Sequence, residues 1–390
     1  MTIYNLDSNE LKQLDAAHTA SEINQQPETW KKTINQIKSM KEEIREFISS
    51  VLDSEDYDVV FTGAGTSEFV GNALYSAINL KTNFKARSYA STDITAMPKN
   101  FISTTKPTLL ISFGRSGNSP ESIGAIDSAE AVSDKIYNLF ITCNSEGALS
   151  KRAEKEKNSL AINLTPETHD LSFAMTSSFT NMYLAAYLVF NLDDLDSIEK
   201  SLEDIIKYSE TINKEGYSYF ENIIKDFDFK RIVYLGSNVL KGIAQESALK
   251  MLELTSGKIV TLFDTPLGFR HGPKSIVDGE TLTVVYLSDD NYTRVYELDL
   301  ISEMSLQRKN NKILVISNIY NEEAEKLSDY YYHLNGSKKE NVELALPYIM
   351  CAQLIALYKS ISLDITPDNP CPSGEVNRVV KGVTLYPYNK

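Results

Sequence analysis

Cysteine is scarce in this chain: Cys143, Cys351 and Cys371 make an odd set with no C-x-x-C pair. So few thiols fit a reducing compartment and give a structural zinc site no support. Long apolar runs are missing too. The longest are strand-sized, such as Leu109–Phe113, which predicts no membrane-spanning helix and no membrane partner. The opening MTIYNLDSNELKQ has no basic start followed by an apolar stretch, so no secretory leader is expected and the expected compartment is the cytoplasm. Basic charge is short, with 39 Lys and Arg against 53 Asp and Glu and a formal net charge of −14. Without a Lys/Arg-rich stripe carrying interleaved aromatics, nucleic acid is not an expected partner. An anionic small molecule is still admissible if its site is built locally from backbone N–H groups, hydroxyls and a few cations.

At 390 residues, 42% apolar and 24% charged, the chain can fill two domains with a core each. Residues 1–55 read as a helical segment. Thr19 and Glu22 have capping-box spacing, Pro27 interrupts, and Ile34, Ile37, Ile44, Phe47, Ile48 and Val51 then recur at helical spacing. Beyond it, short β-branched runs alternate with longer amphipathic stretches, the pattern of an α/β chain with parallel sheets and crossover helices.

That alternation occurs twice. DVVFTGAGTSEFVGNALYSAI and RIVYLGSNVLKGIAQESALKML both read strand, glycine turn, helix, and their turn glycines are 173 positions apart (236 − 63). TLLISFG is answered by TVVYLS, and LFITCN by ILVISN, at nearly the same offset. A duplication follows, with a first domain expected over 56–213 and a second over 214–390. The boundary is expected in the polar stretch 213–216, after a helical pair covering 175–210.

Ligands of open α/β sheets bind at the carboxyl ends of strands, where helix N-termini point out. Three segments of the first domain fall there. GAGTS brings Thr66 and Ser67; SFGRSGNSPES brings Arg115, Ser116 and Ser119; FAMTSS brings Thr176. Each can be read as ordinary turn and cap chemistry or as a phosphate cradle, and the Ser/Gly/Arg density of the second favours phosphate. The third glycine of a dinucleotide fingerprint and the lysine of a P-loop are both absent. In the second domain, Glu246, Lys250 and Glu253 stand at i, i+4 and i+7 on one helix face. The stripe is either a solvated Glu–Lys pairing worth about 0.2–0.5 kcal/mol or an acid–base set. His271, in PLGFRHGPKS, is either surface decoration or a proton carrier titrating near neutrality. The end segment PDNPCPSGEVNRVVKGVTLYP is turn-rich and then strand-like, so Lys381 in it either snorkels or is held over a site.

Taken in order, EINQQP, TGAGTS, LLISFGRSGNSPES, ITCN, ETHD, FAMTSS, IVYLGS, ESALKMLELT, GFRHGPKS and NRVVKGVT resemble the sugar isomerase (SIS) family almost end to end. The nearest likeness is to its galactosamine-6-phosphate deaminase/isomerase group, often labelled tagatose-6-phosphate ketose/aldose isomerase. The resemblance implies two tandem SIS domains, each a parallel sheet flanked by helices, behind the helical N-terminal segment. It also implies a homodimer with shared active sites, a 6-phosphosugar substrate, and neither metal nor organic cofactor.

By similarity to the isomerase half of glucosamine-6-phosphate synthase, Arg115 to Ser119 with Thr66 and Ser67 would hold phosphate. Glu253 would be the enolisation base beside Glu246 and Lys250, His271 would open the ring, and Lys381 would reach in from the tail. The implied reaction turns galactosamine 6-phosphate into tagatose 6-phosphate and ammonia. Its alternatives are plain aldose–ketose isomerisation and a non-catalytic phosphosugar sensor.

Overall fold

A computed structural model of the chain describes residues 2–380 and 382–388. The β-branched runs of the first repeat become β1 (Asp58–Gly63), β2 (Ala86–Ala90), β3 (Thr108–Gly114), β4 (Ile136–Thr142) and β5 (Ser159–Asn163). They form one sheet in the order β2-β1-β3-β4-β5, every pairing parallel. The second repeat supplies β6 (Arg231–Leu235), β7 (Val260–Asp264), β8 (Thr281–Tyr286), β9 (Lys312–Ser317) and β10 (Tyr330–His333). Their order, β7-β6-β8-β9-β10, is the same path traced again, and it too is wholly parallel. Strands covered on both faces need no polar alternation, and all residues of β3 and β8 are buried.

Five helices matter below: α1 (Thr66–Ile78), α2 (Pro120–Val132), α3 (Val239–Leu254), α4 (Asn291–Leu306) and α5 (Asn341–Ser362). The chain divides into two compact units. One holds the second sheet and comprises Met1–Pro27, Leu171–Ala174 and Lys200–Pro372. The other holds the first sheet and comprises Glu28–Asp170, Met175–Glu199 and Ser373–Lys390, so the end of the chain belongs with the first sheet. In that unit Val60, Leu110, Ile126, Phe140 and Leu149 pack as one core. In the other, Val233, Val285, Leu300, Ile313 and Val315 do the same. Each such side chain contributes about 1.5–3 kcal/mol by leaving water.

Two local expectations are corrected, and the expected boundary stretch takes a helical form. Thr19 and Glu22 do not cap a helix, because the helix begins earlier, at Ala17. Thr19 Oγ1 instead donates to Asp368 Oδ1 (2.7 Å), and Glu22 accepts from the Leu171 and Ser172 backbone N–H groups. The polar stretch 213–216 lies within a single π-helical turn, Ile212–Gly216, running between helices Leu195–Thr211 and Tyr217–Asp226. Finally, α5 is long and apolar enough to span a bilayer, with a mean hydropathy of 1.4 over its most apolar window, 94% of which is buried. Glu343, Gln353 and Lys359 break its run in the sequence. Gln353 accepts from Gln26 Nε2 (2.7 Å) and Lys359 reaches Asp228 (2.8 Å), as buried polar groups in a core helix must.

Candidate active site

The strand order of the first sheet reverses between β1 and β3, and the turns leaving those two strands define its crevice. Gly63 ends β1 so close to the start of α1 that a Cβ there would sit 2.5 Å from the Ser67 carbonyl carbon. Gly65 (φ +56°) and Gly117 (φ +62°) hold left-handed conformations that bend the two turns back. Between the turns lies a pocket of about 120 Å³ lined by, among others, Ser67, Arg115, Ser116, Ser119, Met175 and Arg378. Ser119 is the N-cap of α2, with Pro120 behind it, and its hydroxyl lies 2.6 Å from that of Ser122. The Ser116 hydroxyl accepts from the Asn118 backbone N–H (3.2 Å). Thr66 is buried at the first position of α1, next to Ser67.

Arg115 is almost fully buried and donates to the backbone carbonyl of Arg378 (2.8 Å). Arg378 in turn donates to the backbone carbonyl of Asp170. The guanidinium of the turn and that of the tail are thus tied to the same small region. Their field is felt by His169, whose pKa is lowered first by burial and then by the charges of Arg378 and Arg115. The part of that shift due to the two guanidiniums marks a positive potential beside the pocket they line.

Thr176 is placed apart from this pocket. The helix start it precedes, Ser177–Val189, is already served by Asp170, which is wholly buried. The Asp170 carboxylate accepts from the backbone N–H groups of Thr176 (2.8 Å), Ser177 (3.2 Å) and Ser178 (2.8 Å), and from the Ser178 hydroxyl (2.5 Å). Burial pushes its pKa up, while Ser178 and the Arg115 charge pull against that. An internal carboxylate therefore takes the donors that FAMTSS would offer a ligand.

The Glu246–Lys250–Glu253 stripe is not solvated. Glu246 and Lys250 are fully buried and the Glu253 side chain is 24% exposed. The Lys250 ammonium lies 3.2 Å from Glu246 Oε1 and 2.5 Å from Glu253 Oε2. Burial alone would lower the Lys250 pKa, but the two carboxylates more than offset it, and the net shift is upward, so the ammonium stays charged. Glu253 occupies the last turn of α3, just before Ser256 and Gly257 turn left-handed and the Gly257 N–H closes on the Leu252 carbonyl. A carboxylate there faces the negative end of the helix dipole, which the Lys250 charge one turn back counters.

His271 follows the short helix Pro266–Phe269 and precedes Gly272, whose φ is +121°. It is exposed, and its side chain has no hydrogen-bond or ion-pair partner among the described residues. Its neighbours Arg270 and Lys274 both pair with Glu303. Lys381 lies outside the described residues. Arg378 was missed by the sequence reading. Its signal was its place three residues before Lys381 in a tail too ordered in sequence to be a frayed end.

The fold and site define a duplicated α/β protein in which one unit carries an arginine-lined pocket and the other a buried Glu–Lys–Glu set. The chain belongs to the SIS domain family, whose profile matches it twice, over residues 52–192 and 227–363. It is 43% identical over 390 residues to the D-galactosamine-6-phosphate deaminase AgaS of Shewanella sp. strain ANA-3, an alignment covering 99% of this chain and 96% of the relative. Among solved structures, a Clostridium novyi NT protein provisionally named a tagatose-6-phosphate ketose/aldose isomerase is 45% identical, with a TM-score of 0.97 and both chains fully covered. The tagatose-6-phosphate ketose/aldose isomerase of Escherichia coli is 36% identical with a TM-score of 0.88, covering 96% of this chain and 97% of that one.

Proposed function

We propose that this enzyme converts galactosamine 6-phosphate to tagatose 6-phosphate and ammonia. The observation that carries the reading is the buried Glu246–Lys250–Glu253 set, in which Glu253 alone keeps an open edge. The substrate class is that named for the Shewanella relative.

The Ser67 and Ser116–Ser119 turns hold the phosphate, and Arg115 and Arg378 supply positive charge behind it. His271 carries a proton from O1 to O5 and opens the ring. Glu253 takes the proton from C2 of the open-chain aldehyde while O1 gains one, giving the enolamine. The same carboxyl returns its proton to C1, leaving an imine at C2 that water hydrolyses to the ketone and ammonia. Lys250, fixed by two carboxylates, keeps positive charge beside Glu253 as the enolamine forms. Lys381 is a second candidate cation.

Isomerisation of a hydroxy-sugar phosphate needs the same proton transfer without the last hydrolysis, and the names of the two structural relatives favour it as the second reading. A sensor would have no use for a buried ion set next to a half-open carboxylate. Amino- and hydroxy-sugar 6-phosphates assayed side by side separate the three. Ammonia from galactosamine 6-phosphate supports the deaminase, and ketose without ammonia from a hydroxy sugar supports the isomerase. Binding without either product leaves the sensor.

The reading extends to a cytoplasmic homodimer with shared sites and to domains over 56–213 and 214–390 behind a helical segment 1–55. Inactive His271→Ala chains mixed with inactive Glu253→Gln chains should then regain activity. No recovery after verified subunit exchange would put both residues in one chain's site.

A further inference from the structure

The second unit repeats the first down to its turns. Gly236 stands 173 positions after Gly63 (236 − 63), and a Cβ on it would approach the Leu240 carbonyl oxygen to 2.3 Å, as one on Gly63 would crowd Ser67. Two residues on, Asn238 (φ +53°, ψ −121°) adopts nearly the conformation of Gly65 (φ +56°, ψ −129°), again 173 apart (238 − 65). An asparagine is strained there, so the shape of the cradle has been kept against a local cost. β8 starts 173 residues after β3 (281 − 108), so Ser288 stands where Arg115 does in the first unit (288 − 173 = 115).

The turn itself carries no cation, and Arg294 of α4 donates to the Ser288 carbonyl from outside it (3.3 Å). Ser288, Asp289 and Asp290 follow one another, and their groups are used internally. Asp289 accepts from Asn318 Nδ2 (2.6 Å) and from the Lys339 backbone N–H (2.9 Å), while Asp290 caps α4 through the Thr293 N–H (2.8 Å). The backbone N–H of Ser288, which would face a ligand, donates to Glu297 Oε2 at 2.7 Å. Ser237, at the position of Ala64 in the first unit (237 − 173 = 64), is near enough to the same carboxyl to pull its pKa down. Glu297 projects from α4 and is fully buried. At its offset in the first unit stands Gly124 (297 − 173 = 124), which has no side chain to send.

We propose that the second SIS domain keeps a closed copy of the phosphate cradle, with the Glu297 carboxyl as its built-in occupant, so that phosphosugars are taken up by the first domain alone. A carboxyl oxygen accepts from a backbone N–H as a phosphate oxygen does, and being tethered it need not be captured from solution. The inference stands on the repeat geometry and goes beyond the proposed reaction.

Two measurements test it. Calorimetric titration of the full-length protein with galactosamine 6-phosphate should give no more than one site per chain, and two sites per chain would overturn the proposal. Glu297→Ala should empty the cradle, so inorganic phosphate or formate should raise its Tm by several degrees more than that of the wild type. Glu297→Gln, of the same shape, should keep the cradle closed and show no such response. A folded Glu297→Ala protein whose Tm ignores both anions would also overturn it. If no phosphosugar binds the wild type, the proposed reaction fails, while the response of Glu297→Ala still decides this inference. If Glu297→Ala does not fold, the stoichiometry of the wild type decides it.

Discussion

Replacing Lys250 by Met is the sharpest test of the buried ion set. The side chain is wholly buried, 3.2 Å from one carboxylate oxygen and 2.5 Å from another. Met fills similar volume but removes the charge, leaving two carboxylates on neighbouring turns of α3, one of them fully buried. Breaking a buried ion pair from one side costs about 3–5 kcal/mol, because the remaining charge is left uncompensated. A solvated pair would cost about 0–1 kcal/mol. Against a total stability of about 5–15 kcal/mol, the larger loss is plain in a urea titration at pH 7.5. Adding Glu246→Leu to Lys250→Met should recover much of the stability, since it removes the stranded charge, but should not recover turnover. A Lys250→Met protein within about 1 kcal/mol of wild type would refute the reasoning, as would a double variant no more stable than the single one.

Glu253→Gln should keep thermal protection by substrate but lose about 10²–10⁴-fold in turnover, along with exchange of the C2 proton with solvent deuterium. Retention of more than about a tenth of wild-type activity, well short of that loss, would move the base to Glu246. Ser116→Ala with Ser119→Ala should raise KM strongly at near-normal folding, and an unchanged KM would place the phosphate elsewhere. Burial lifts the Glu297 carboxyl to about 7 from an ordinary 4.5, against the pull of the Ser288 N–H, Ser237 and Arg294 and with a smaller push from Asp290. The folded protein therefore binds this proton before the unfolded chain does. The resulting stability is fully present below pH 4.5 and is lost as pH rises through 7, about 3 kcal/mol in all. Glu297→Gln should flatten that part of the pH–stability curve, and an unaltered slope would assign it to other groups.

The duplicated sheet was legible because parallel strands buried on both faces must be written as unbroken β-branched runs, as in β3 and β8, and because the turn glycines carry a steric demand that repeats at 173 positions. The membrane-length helix α5 escaped notice for the opposite reason. Two of its polar residues are answered by partners distant in sequence, Gln353 by Gln26 and Lys359 by Asp228, and such pairing cannot be read from a local run of letters. The sites of Thr19 and Glu22 failed in the same way, since capping-box spacing is local and their partners, Asp368 and Ser172, are not.

The acid–base stripe shows where local spacing stops informing. Periodicity put Glu246, Lys250 and Glu253 on one face of α3, but a solvated face and a buried one share that spacing. What separates them is burial: α3 packs on α5, β6 and β7, and Glu246 and Lys250 are fully buried there. Once water is excluded, the lysine is no longer an ornament of the helix but a buried cation held between two carboxyl groups. The same logic bears on Thr176 and Glu297. A helix start or a strand-end turn offers anion-binding donors whether or not the protein supplies the anion itself. In this chain the Asp170 and Glu297 carboxyls take such donors at two places, and the β1–β3 crevice, with Arg115 and Arg378 behind it, is the one that the proposed function gives to a substrate.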